Sequence, residues 1–171
     1  MNPTTFKKIA YLALSDAKML TKKAVNPYQL VDQLSVKWSV GATNKQPEYL
    51  GAIENVNNKI TLSVYYNPST IIANFTMATL VSYIQLNPNS KELIPVGYGF
   101  FIKANTPQHD NPWLESQTLA TMLLCYSFSP RELRMLKAEG LKLEKNVSKL
   151  AHKKGIPTQF LLSRIAMEFN K

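Results

Sequence analysis

One cysteine and two histidines in 171 residues leave little from which to build a disulfide or a metal centre. Cys125, being single, excludes an internal disulfide and fits a reducing cytoplasm. His109 and His152 stand in distant segments, and no helix carries His, Asp or Glu at the short spacing that sets two ligands on one face. Long apolar runs are also missing. None approaches 18 residues, so no transmembrane helix is expected. The first twenty residues, MNPTTFKKIAYLALSDAKML, have an apolar patch broken by Asp16 and Lys18 and no small-residue cleavage site, which makes a poor signal peptide. There is no GxSxG elbow and no phosphate-binding loop. The glycines of VGYGFFIK (residues 96–103) begin a GxGxxG pattern that fails at Ile102 and lacks a strand–turn–helix context. Acidic residues are scarce, 11 against 20 basic ones, which gives a net charge of +9. That balance suits nucleic acid, an acidic protein surface, or simply lysine-rich helix faces. Lysine outnumbers arginine, which argues against dense phosphate or base recognition.

What is present points to a folded α+β protein. The hydrophobic content is 45% and the aromatic content 10%, enough for one domain with a core. Phe6, Ile9, Ala10, Ala13, Ala17 and Leu20 recur at helical spacing and predict a helix over residues 4–23. A membrane-surface helix would show the same basic and apolar split, but this stripe is alanine-rich and has no tryptophan anchor, so it reads as a packing helix. Asn26-Pro27 starts a short helix to Leu34. VKWSV (36–40) alternates as a strand, followed by strands at 49–56 and 59–66 joined by a turn at Asn57-Asn58. These make a short antiparallel sheet. A strand or hairpin arm is expected at 96–103, and further helices at 113–126, 129–137, 143–153 and 158–169.

The stretch NPSTIIANFTMATLVSYIQL (67–86) reads as a helix of about five turns, with Ile71, Phe75, Ala78 and Val81 along one apolar face. Within it Thr79 and Tyr83 are four apart, the spacing of the two histidines in a helical HExxH motif. The frame FTMATLVSY resembles the ImmA/IrrE-type metallopeptidases, which commonly read FTLAHELGH there. Three other stretches are similar to that family in the same order: NPYQLVDQLSVKWSV, KITLSVYYNPS, and LESQTLATMLL followed by VSKLAHKKGIPTQFLLSRI. Together they span residues 26–165.

The resemblance implies a zincin-like fold with a central former active-site helix and a helical C-terminal portion, divided as 1–128 and 129–171. It also implies that the chemistry is lost. Thr79 and Tyr83 stand at the two histidine positions and Leu80 at the general-base glutamate position, while Glu115 falls near the acidic ligand. One carboxylate does not hold a catalytic zinc, so no cofactor and no enzyme activity are expected. Active members of the family are often encoded beside phage or mobile-element repressors and cleave them. The expected role is therefore a cytoplasmic, inactive regulator that binds a protein such as a transcriptional repressor or host factor, antirepressor-like. Thr79, Tyr83 and Glu115 are the candidate partner contacts, or else Thr79 and Tyr83 fill the vacated site as core. The alternative is DNA binding through residues 143–169, which have the cadence of a helix-turn-helix. There Lys145, Lys149, Lys153 and Lys154 would meet phosphates, and Gln159 and Arg164 are among the few side chains able to read bases.

Overall fold

A computed structural model describes residues 1–21, 24–34, 36–40, 49–56, 59–65, 71–87, 94–97, 112–126, 131–132, 134 and 143–169. Asn2 opens helix α1 (Pro3–Asp16): its side chain accepts from the Thr5 N–H, and Pro3 occupies a first-turn position where no N–H is needed. Phe6, Ala10 and Leu14 make the buried stripe. The helix is shorter than its apolar pattern because it closes in a Schellman motif. Lys18 N–H bonds to Ser15 O and Met19 N–H to Leu14 O, with Lys18 at φ 54°. Buried Met19 and Leu14 supply the apolar contact that accompanies such a cap.

Lysine in the left-handed region is strained by its Cβ. Lys18→Gly is therefore expected to stabilise the protein by roughly 0.5–1 kcal/mol, which raises the melting temperature by about 1–4 °C. Calorimetry showing no change or a loss would mean that the Lys18 side chain makes a compensating contact.

Asn26 caps helix α2 (Pro27–Gln33) by accepting from the Tyr28 N–H. Strand β1 (Lys37–Val40) follows, then β2 (Tyr49–Val56), β3 (Lys59–Val64) and, after helix α3 (Ile71–Leu86), β4 (Ile94–Gly97). The sheet order is β1-β3-β2-β4. The expectation of a wholly antiparallel sheet needs correction. β2 pairs antiparallel with β3 and β4, but β1 runs parallel to β3, with Trp38 beside Leu62. Alternation identified each strand but carried no information about its neighbour. The connection from β1 to β2 passes over one strand position, and the β2–β3 hairpin folds back into it. Val56 pairs with Lys59; the expected Asn57-Asn58 turn lies outside the described residues.

α3 lies across β2 and β3, and Gly51 lets it approach. A Cβ at Gly51 would come within 2.5 Å of the Ser63 carbonyl oxygen and 3.0 Å of Thr76 Cγ2. α3 is buried on every side from Phe75 to Tyr83, so the expected single apolar face understates it. The start of this helix at Asn67-Pro68-Ser69 lies outside the described residues, as does the arm expected beyond Gly97.

Helix α4 (Pro112–Leu124) packs along α3 and α1, with Leu119, Ala120, Leu123 and Leu124 buried as their spacing predicts. The helix expected at 129–137 falls largely outside the described residues; Arg131, Glu132 and Arg134 within it are helical. Helices α5 (Leu143–Lys154) and α6 (Thr158–Phe169) are separated by Gly155, at φ 67°, in a second Schellman cap closed by Gly155 N–H to His152 O and Ile156 N–H to Ala151 O. Val147, Ala151, Ile156, Leu161 and Ile165 from this pair enter the same apolar cluster as α3 and α4. Phe160 stacks on Phe75 at 4.3 Å between ring centroids. The boundary expected between residues 128 and 129 lies outside the described residues. Among the described residues, no helix is long and apolar enough to cross a membrane.

Candidate partner-binding site

Thr79, Leu80 and Tyr83 fall in the most buried part of α3. Leu80 is 0% exposed, wedged toward the sheet with Cδ1 near Gly51. Thr79 is equally buried, and its hydroxyl donates to Phe75 O at 2.9 Å. Ser82 does the same to Ala78 O at 2.7 Å. A hydroxyl that returns its proton to the carbonyl one turn back satisfies itself locally, so these residues pack as small apolar ones. Tyr83 is 6% exposed, and its carbonyl accepts from both the backbone and the side chain of Asn87.

Glu115, in the first turn of α4, is half-buried and accepts from the Met1 amino group at 2.7 Å. Of the three candidate contacts, then, Thr79 is closed off from any partner, Tyr83 is nearly so, and Glu115 is reachable. Thr79, Leu80 and Tyr83 are packed as core.

The candidate nucleic-acid residues divide differently. Lys149, Lys153 and Gln159 are exposed and Lys154 is half-buried, while Lys145 lies on α5. Arg164 is 8% exposed, so as a base reader it is corrected. Counting from Phe160 and Leu161, it falls four and three residues on, which turns its stem into the core beside Cys125.

Burial pushes the Cys125 thiol up to about 12, against the opposing pull of Arg164 and Lys154. Desolvation lowers Lys154, and nearby Cys125 and Glu132 act the other way. A thiol held neutral by the fold contributes stability that is complete below its ordinary value near 9 and is lost as pH rises towards 12. Roughly 2–3 kcal/mol from this source should disappear between pH 9 and 11. Urea midpoints followed across that range should fall more steeply for the native chain than for Cys125→Ala. Parallel slopes would refute the assignment.

Among the described residues no three of His, Cys, Asp and Glu come together; His109 lies outside them. Composition and periodicity also missed a cluster at the edge of the sheet. Trp38 Nε1–H donates to Asp32 Oδ1 at 2.7 Å, and its ring tilts against Tyr28 at 5.0 Å, yet Trp38 remains 38% exposed. An aromatic in a short alternating strand just after a capped helix was the available signal. No protein-family model matches this sequence, and no curated protein does either.

Proposed function

We propose that this chain is a catalytically inactive, ImmA/IrrE-like regulator that acts by binding another protein, such as a transcriptional repressor, in a phage or mobile-element switch. The observation that carries the proposal is the state of α3. The two histidine positions and the general-base position hold Thr79, Tyr83 and Leu80, and all three are packed as core. A scaffold that has filled its reaction centre retains its surface, and binding needs only the surface.

With Thr79 enclosed, the contact falls to exposed apolar side chains, of which Tyr11 and Leu12 on α1 and Leu34 and Trp38 beside β1 are large. Tyrosine and tryptophan are the residue types that anchor protein interfaces. The test is purification of the tagged chain from its host after nuclease treatment and a high-salt wash. A stoichiometric repressor-type protein is expected to remain, and Trp38→Ala or Tyr11→Ala should release it. Recovery of nucleic acid alone, removed by salt, would favour the second reading, in which exposed Lys149, Lys153 and Gln159 touch DNA. The burial of Arg164 weighs against that reading.

A further inference from the structure

A cleft of about 550 Å³ opens where the end of α5 meets the cap of α2 and Ile71 and Asn74 of α3. Its volume is that of a small-molecule site and exceeds what a lone ion needs. His152, Lys153 and Lys154 form one wall, Asn26 and Asn74 contribute amides, and Ile71 and Leu124 supply apolar surface. Among the described residues, no Asp or Glu lines it. Glu132 is a carboxylate that acts on Lys154.

The carbonyl end of a helix normally repels anions. Here the Schellman bonds at Gly155 engage the carbonyls of His152 and Ala151, and three basic side chains crowd the same turn. Ile71 and Asn74 of α3 line the same cleft. Asn26 accepts from the Tyr28 N–H through Oδ1, which leaves its NH₂ end to donate. Tyr28 lines the cleft and carries a buried hydroxyl without a hydrogen-bond partner among the described residues.

We propose that this cleft binds a small molecule carrying a phosphate-type anion, with Lys153 and Lys154 as the charge partners, the His152 and Asn74 side chains as donors, and an apolar portion resting on Ile71 and Leu124. The site is independent of the protein-binding proposal and stands or falls without it. Burial disfavours the Lys154 ammonium, so an anion entering the cleft relieves a charge that the fold holds at a disadvantage.

The test titrates the full chain with inorganic pyrophosphate and follows the His152 ring by NMR, with His152→Asn assigning the signal. A saturable shift with a dissociation constant below about 1 mM is expected. Lys153→Gln/Lys154→Gln should weaken it at least tenfold. Lys153→Gln alone, at an exposed position, should weaken it about threefold and guards against misfolding of the pair. Lys8→Gln/Lys59→Gln removes the same charge from exposed positions elsewhere and should change little. The proposal is overturned if no saturable shift occurs or if both double variants weaken binding equally. It is equally overturned if the cleft variants lose affinity for duplex DNA while keeping that for pyrophosphate.

Discussion

Leu80→Glu is expected to destabilise the protein by more than about 4 kcal/mol, enough to leave it unfolded or nearly so at 37 °C. The substitution places a carboxylate at the centre of α3, so its outcome tells an enclosed position from one open to water. Leu80 is completely buried, its Cδ1 lies toward Gly51, and the helix around it is enclosed from Phe75 to Tyr83. A carboxylate placed there loses its water. Its pKa would rise above the usual carboxylate value near 4.3. The sign follows: the variant's deficit relative to the native chain shrinks below pH 4, where the group is neutral in both states, and grows as pH rises through the folded-state value. Leu80→Met, similar in volume, should cost less than about 1.5 kcal/mol. Urea denaturation of the two variants at pH 4 and pH 7 makes the comparison. A native-like midpoint for Leu80→Glu at pH 7 would mean that the position opens to water, and the filled-site account would fail.

The sequence carried local information well and spatial information poorly. The ends of α5 and α6 were legible because Gly155 and Pro157 stop one helix and start the next. The early end of α1 was not, because its cap uses Lys18 where a glycine would have announced it. β1 was legible as a strand but not as a parallel neighbour of β3, since alternation describes a strand's faces and is silent about its edges. For Thr79 the sequence left partner contact and core filling both open; its hydroxyl, like that of Ser82, is satisfied one turn back and buries freely. Arg164 was misread for the opposite reason: charge suggested exposure, while its place after Phe160 and Leu161 turned it inward. Three of the nine candidate positions, Thr79, Tyr83 and Arg164, therefore proved to be interior. Residue type predicted chemistry at those positions, and packing decided whether a partner could reach it.

Phe75→Ala tests how firmly the last two helices belong to that packing. Phe75 is completely buried, and its ring stacks on Phe160 of α6 with an interplanar angle of 26°. Truncation should cost about 3–5 kcal/mol, since both the transfer energy and the remaining cavity weigh against the variant. A double-mutant cycle with Phe160→Ala should return a coupling of about 0.5–1.5 kcal/mol for the stacked pair. Both single variants should keep one cooperative transition, because α6 enters the same apolar cluster as α3 and α4. A separate early melting of α5 and α6 in hydrogen exchange, leaving α1 to α4 protected, would show instead that the pair opens on its own. That result would reopen the DNA-binding alternative, since an opening pair could expose Arg164 and the Leu161–Ile165 face. A single transition would tie α6 to the central helix. Lys149, Lys153 and Gln159 would then meet any nucleic acid as surface groups on a rigid body, making the kind of contact that positions a duplex without reading its bases.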